Sequence, residues 1–467
     1  MPPSLALLLW LILLLGLLCF DPARSAEPSA ALWVPLTWMF IVGSRLVSQW
    51  LGSQVGVAAQ TFEDGNPLDR TVYSLLIVLA VGILISRSFK WGTFFVRNFA
   101  LTAFLFFALV SIVWSDFPLV AFKRWFRDLG HCLVILVVLT DSHPVEAVRT
   151  LLRRLCYLLI PLSIVLIKYF PGFGTGYDRW TGAATYMGAT TSKNMLGVAC
   201  LISGIFFFWD TVTRWSDRKE RRTRRIIMVN FAFIAMTLWL LHLADSATSR
   251  VCLVIGCLII AAAHSDMFRR RSGLLKVLIP ACFVLYLILA FGFNVNGDLA
   301  SAIGRDPTLT DRTLIWKNLL SMNTNPLVGT GYESFWLGSR LALAGRSFEA
   351  GLNEAHNGYL DIYLGLGVIG ICLLAGFLIA SYRNICRQLT SSPSVASLNL
   401  ALWTITLFYN MTESAFKFHL MWVVFLLAGI AVPAPAADRV RGVASFDNAG
   451  ATERFLRPPL ETVSHRR

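Results

Sequence analysis

Charge is scarce in this chain. Only 15% of its 467 residues are Asp, Glu, Lys or Arg, while 56% are hydrophobic. Soluble chains carry about a quarter charged residues, so a soluble domain is excluded. Nine cysteines are present, but none shows CxxC spacing and most sit inside apolar runs. They read as small core hydrophobes, with neither a disulfide framework nor a zinc site. No internal repeat, inverted-topology echo or low-complexity tract appears. No acidic pair has metal-binding spacing, so neither a metal nor another cofactor is expected. The net charge of +14 would suggest nucleic acid in a soluble protein. Here the cations cluster between apolar runs, where Lys and Arg set orientation, and no nucleic-acid partner is expected.

What is there is a series of long apolar runs. A bilayer core needs about 20 apolar residues per helix. Candidate spans are 4–20, 31–47, 71–86, 98–114, 129–140, 155–168, 194–213, 226–244, 250–265, 274–293, 358–380, 397–411 and 418–432. The expected fold is an all-α polytopic membrane helix bundle of about 12–13 transmembrane helices. Its parts are an N-terminal bundle at 1–293, a large external loop at 294–357 between spans ten and eleven, C-terminal helices at 358–432, and a cytoplasmic disordered tail at 433–467. Trp316, Phe335, Trp336 and Phe348 suggest a small helical cap within that loop. The segment 115–128 reads as an interfacial amphipathic helix. The first run resembles a signal peptide, with Ala23–Ser25 as a cleavage site; the absence of a preceding cation and the span parity favour an uncleaved helix.

The cations fix the orientation. Seven Lys/Arg lie in 214–225, and Arg269, Arg270, Arg271 and Lys276 form a second cluster two spans on. With both inside, alternation puts 26 of the 41 Lys/Arg in the cytoplasm. The loops 43–70, 115–128, 169–193 and 294–357 then face outside.

Four polar signals fall on that external face. His356, in Asn353-Glu-Ala-His-Asn-Gly-Tyr-Leu360, stands directly before span eleven. It suits a general base or a donor to phosphate; the alternative is a helix-entry residue with Asn357 as cap. Glu354, Asn353 and Asp361 make that turn more polar than a cap requires. Arg312 lies in Thr308-Leu-Thr-Asp-Arg-Thr-Leu-Ile-Trp316, where Thr310 can cap a helix and the guanidinium can hold a pyrophosphate bidentately; the alternative is an exposed pair with Asp311. Asn325-Pro-Leu-Val-Gly-Thr-Gly331 adds a glycine turn of the kind that can cradle phosphate. Arg250 is held outside against the positive-inside trend, either by an anionic partner or by snorkelling. Lys193 and Asn194 open span seven, as a phosphate contact or an interfacial anchor.

Taken together, these residues resemble the O-antigen ligase and polymerase superfamily. The resemblance rests on Ala-His-Asn-Gly-Tyr-Leu360 followed by Gly365, Gly367 and Gly370. Upstream come Asp-Arg-x-x-x-Trp316, Pro-x-x-Gly-x-Gly331 and Phe335. Ser-Lys-Asn-x-x-Gly197 is similar to the Lys-Asn motif of the exopolysaccharide-polymerase branch, although Ser192 stands where His is common. Gly43–Trp50, Trp114–Pro118 and Leu159–Ser163 also look like that branch.

The resemblance implies a GT-C-like glycosyltransferase in the bacterial inner membrane, multi-pass, with its active site facing the periplasm. It implies a polyprenyl-diphosphate-linked oligosaccharide as donor, a glycan acceptor, and a flippase and chain-length regulator as partners in the bilayer. By motif match Arg312 and His356 are the catalytic residues, with Arg250, Lys193, Asn194, Asn357 and Glu354 binding substrate. The Lys-Asn motif favours a repeat-unit polymerase over a ligase acting on lipid A core. A polysaccharide-related transporter is the rival of another class; it would gather polar groups at the midplane on broken helices, not at one face.

Overall fold

The computed structural model describes residues 1–19, 29–52, 65–177, 182–270, 272–292, 309–322, 324–347 and 352–432. The possible cleavage site, Phe348 and the tail from 433 lie outside these. Residues 1–431 form one compact unit.

The chain is a helical membrane bundle. In order the main helices are α1 (Pro3–Cys19), α2 (Trp33–Gly43), α3 (Pro67–Ser86), α4 (Trp91–Arg97), α5 (Phe99–Val110), α6 (Pro118–Leu139), α7 (Pro144–Tyr169) and α8 (Lys193–Arg214). There follow α9 (Arg221–Ala244), α10 (Ala247–His264), α11 (Ser272–Gly292), α12 (Leu309–Ser321), α13 (Gly338–Ser347), α14 (Gly358–Ser391), α15 (Pro393–Tyr409) and α16 (Leu420–Gly429). Sheet is confined, among the described residues, to a two-stranded antiparallel hairpin, β1 (Thr175–Tyr177) with β2 (Ala184–Tyr186).

Six of these helices are long and apolar enough to cross a membrane, and a seventh span forms if α4 and α5, bent by 95°, count as one. The expected total of 12–13 is larger because a run of apolar residues is not always a long helix. α1, α2 and α16 are shorter than a span. The supposed interfacial helix at 115–128 and the span at 129–140 are a single helix, α6. Its first half carries Lys123, Arg124, Arg127 and Asp128; its second half, Leu133–Val138, is buried. Likewise 155–168 is the apolar half of the 26-residue α7, which keeps Pro161 inside it.

The centre of the bundle is α8, whose Phe206, Phe207 and Trp209 are fully enclosed. It meets α10 across glycines. A Cβ at Gly197 would lie 2.7 Å from Ser246 Cβ, and one at Gly204 would lie 2.7 Å from Leu253 Cδ1. Small residues let membrane helices approach closely where no hydrophobic effect drives them together. That approach brings the starts of α8 and α10 to one end of the bundle, beside the turn between α15 and α16.

The described part of the long loop packs on itself and on the start of α14. Leu319 of α12, Phe335, Trp336, Ala344 of α13, Leu352 and Ala355 make a small core against Leu364. Trp316 Nε1 ties the cap down by donating to Ala355 O at 2.9 Å. α12 starts at Leu309, so Thr310 sits inside the helix and not at its cap.

The glycine turn at 325–331 serves this architecture and not an anion. α14 is broken at Gly367, whose φ of 64° is left-handed. The break frees backbone groups that need partners in a membrane. The turn supplies them: Val368 N–H donates to Pro326 O at 2.9 Å and Ile369 N–H to Leu327 O at 3.1 Å. In return Thr330 and Gly331 N–H donate to Leu364 O and Gly365 O, at 3.1 and 2.9 Å. Asn325 accepts from Leu327 and Val328 N–H. With its amides so engaged, the turn is a brace for the broken helix.

Candidate functional site

The fold gathers several of the polar residues expected on the external face around a turn that carries no sequence motif. The turn is Asn410–His419, between α15 and α16. Asn410 Oδ1 accepts from Ala415 N–H at 2.9 Å, which closes the turn. Gly358 N–H donates to both Asn410 O and Glu413 O, at 2.9 and 3.0 Å, which fastens the start of α14 to it. A Cβ on Gly358 would lie 2.0 Å from Asn410 Oδ1, so only glycine fits there.

Glu413 is the hub. Its Oε1 accepts from Asn194 Nδ2 at 3.1 Å and lies 3.6 Å from Arg312 Nη2. Its Oε2 lies 3.6 Å from His356 Nδ1. Arg312 is further fixed by donating from Nη1 to Thr412 O at 2.6 Å. Thr412 Oγ1 meets Thr248 Oγ1 at 2.8 Å, which joins the start of α10 to the same turn. Residues from α8, α12 and the 352–357 segment therefore converge on one carboxylate, and α10 is joined to the turn that carries it.

A second carboxylate stands beside it. Glu354 Oε1 is 3.2 Å from His356 Nδ1, and its Oε2 accepts from Lys417 Nζ at 2.8 Å. Lys417 also lies 3.7 Å from Asp361 Oδ2. Asp361 Oδ1 accepts from Trp336 Nε1 at 2.9 Å and Ala355 N–H at 3.1 Å.

The charges set the protonation states. Burial disfavours the charged form of His356, but Glu354 and Glu413 outweigh it and push the imidazole up to about 9. Burial would raise Glu354, yet Lys417 and then His356 hold its carboxyl well below the usual range. Burial opposes the Lys417 charge too, and Glu354 and Asp361 hold it above the ordinary lysine value. Both carboxylates thus favour the imidazolium form of His356. The expectation that it works as a neutral general base does not suit this setting; a donor or an electrostatic role does.

Backbone strain marks the same region. His356 and Glu333 have φ of 48° and 49°, and Asp245, at the approach to α10, has 46°. Left-handed conformations cost non-glycine residues about 1–3 kcal/mol and persist where the surroundings impose them, often at functional sites.

Of the residues expected at the site, His356, Arg312, Glu354 and Asn194 come together. Asn357 lies among them, but its Oδ1 accepts from Tyr359 and Leu360 N–H at 3.0 and 3.1 Å and caps α14. Lys193 is exposed next to Asn194. Arg250 is exposed and pairs with Asp245 at the surface. Neither cation touches the Glu413 group. Glu413 and Lys417 were missed: the only sequence signal was a polar Asn-Met-Thr-Glu-Ser414 between two apolar runs.

Glu354, His356 and Glu413 also offer three ligand atoms within 4.8 Å of one another. The sequence shows no such set because 57 residues separate His356 from Glu413. Divalent cations favour carboxylate oxygens, but Lys417 and Arg312 already face these two carboxylates and would repel an ion between them.

Residues 231–375 match the protein family described as O-antigen ligase. That stretch holds Arg250, Arg312, Glu354 and His356, while Asn194, Glu413 and Lys417 lie beyond it. This match agrees with the resemblance to the O-antigen ligase and polymerase superfamily carried by the motifs. The chain is also similar to the exopolysaccharide production protein ExoQ of Rhizobium meliloti (strain 1021), with 28% identity over 305 residues, 62% of this chain. The matched region spans 65% of that relative's length.

Proposed function

We propose that this protein is a membrane glycosyltransferase of the superfamily's polymerase branch. It moves a polyprenyl-diphosphate-linked saccharide onto the end of another glycan at the outer face of a bacterial inner membrane. The observation that carries the reading is the grouping of Arg312, His356 and Asn194 around Glu413. The similarity to an exopolysaccharide production protein favours a polymerase over a lipid A core ligase.

The chemistry follows from the charges. A bond forms between the acceptor hydroxyl oxygen and the anomeric carbon, and the bond from that carbon to the phosphate oxygen breaks. The electron pair stays on the departing diphosphate. On this reading Arg312 and the His356 imidazolium stabilise that developing charge. The acceptor proton needs a carboxylate within hydrogen-bond reach. Glu413 suits this better than Glu354, because its ion-pair contacts are longer and Glu354 is tightly held by Lys417 and His356. Holding both substrates at one end of the bundle supplies orientation.

The test is the polysaccharide length profile of host cells lacking the protein, complemented with wild type or Arg312→Ala. Loss of long chains in both the null and the variant supports a polymerase. Intact chains that fail to attach to the surface mean a ligase. An unchanged profile removes the enzyme reading. The Glu354–His356–Glu413 grouping favours one second reading, a metal-assisted transfer, which predicts chelator-sensitive activity restored by Mg²⁺.

A further inference from the structure

Beside the ion-pair cluster lies a cavity of about 500 Å³, within the range of ordinary small-ligand sites. Lys417 lines it, whereas Glu354, His356, Glu413 and Arg312 do not. The Lys417–Glu354 pair thus separates the cavity from the proposed diphosphate site. The charged half of α6 also lines it, with Arg124 and Arg127, as do Glu333 and Asp361.

We infer that this cavity is a carbohydrate subsite, holding a pyranose ring of the acceptor glycan. The inference rests on the glycosyltransferase reading. Three features select this ligand class. First, two of the cations that line it face carboxylates: Arg127 Nη2 is 3.8 Å from Glu333 Oε2, and Lys417 Nζ is 3.7 Å from Asp361 Oδ2. Sugar hydroxyls, which donate and accept at once, match alternating carboxylates and cations. Second, the polar groups are rigidly held. Arg127 stacks on Phe418 with 3.9 Å from Cζ to the ring centroid. Arg124 Nη1 donates to Glu333 O at 2.5 Å. Glu333 is locked in its left-handed conformation between Tyr332, whose hydroxyl donates to Asp128 Oδ2 at 2.7 Å, and Ser334, bonded to Ser115 at 2.6 Å. Preorganised polar groups that select orientation are what a saccharide site requires. Third, Trp336 and Phe416 add aromatic surface to the wall, suited to a ring with one apolar face and a polar edge.

The test uses the full chain in lipid nanodiscs and lipid-free, phosphate-free oligosaccharides from partial hydrolysis of the host's own polysaccharide. Binding is read by saturation-transfer NMR and titration calorimetry. Wild type binds, and Kd rises about tenfold or more in Glu333→Gln and in Arg127→Lys, the effect of one lost charge-assisted hydrogen bond. Glu333→Gln keeps the side-chain volume, so an unchanged melting temperature accompanies the loss. Inorganic pyrophosphate does not displace the oligosaccharide. No binding to wild type, unchanged Kd in both variants, or displacement by pyrophosphate each overturns the subsite. Length profiles of the null cells separate the two ideas: normal polymer there removes the glycosyltransferase reading, while lost polymer without oligosaccharide binding removes only the subsite.

Discussion

His356 occupies the position where chemistry and electrostatics constrain each other most. Glu354 and Glu413 raise its pKa to about 9, so its cation is fully present at neutral pH. The sign then follows. A step that needs the imidazolium runs at full rate below that value and falls as pH rises through about 9. Replacing Glu354 by Gln removes a stabilising charge and moves the alkaline limb down toward the unperturbed value of about 6.5. A pH–rate profile of wild type and Glu354→Gln checks this; activity that rises through pH 9 would mean that the neutral imidazole acts as base. His356, Arg312, Glu354 and Asn194 were legible in the sequence because each sits in a dense polar motif. Glu413 and Lys417 were not. They occupy a short turn whose side chains find partners 56 to 219 residues away, and in the sequence Lys417 reads only as a topological cation.

Among the elements, α14 shows most clearly how local pattern and tertiary structure differ. Its apolar run reads as one span, and the structure breaks it at Gly367 and braces it with the 325–331 turn. A Cβ at Gly367 would meet Leu327 C at 2.3 Å, and one at Gly329 would meet Gly365 C at 2.4 Å, both with positive φ. Gly367→Ala should therefore lower stability by more than the roughly 1–3 kcal/mol of the strained backbone alone. Gly376, further along α14, has nothing within 4 Å of its would-be Cβ, and Gly376→Ala should be harmless. Melting temperatures of the two variants in detergent decide it; equal melting would show that the brace is dispensable. The same tertiary logic hid the true extent of α6. Four charged residues at its start look like an interfacial helix until Arg127 is seen stacked on Phe418 and Asp128 buried against Tyr332.

For the whole molecule, the bundle class was legible because apolar runs and cation clusters survive any detail of packing. The number of full-length spans was not, since helix length and bending depend on neighbours. The account places the Glu413 turn, the start of α10 and the long loop on the external side, and the basic 214–225 segment inside. Reporter fusions at residues 245, 340 and 415 should report outside, and fusions after Arg225 and Lys276 cytoplasm. A cytoplasmic signal at 340 or 415 would put the cluster on the side opposite the one where the proposed transfer takes place.

The central claim is that the Glu413-centred cluster transfers saccharide from a lipid diphosphate. Its most direct test is a purified-protein assay with a polyprenyl-diphosphate-linked repeat unit as sole substrate, read as product length by mass spectrometry. The account predicts products longer by whole repeat units with release of polyprenyl diphosphate. It also predicts a loss of about 10²–10⁴ in rate for Glu413→Gln, the range for a positioned acid–base group. Undiminished elongation by a folded Glu413→Gln variant would contradict it.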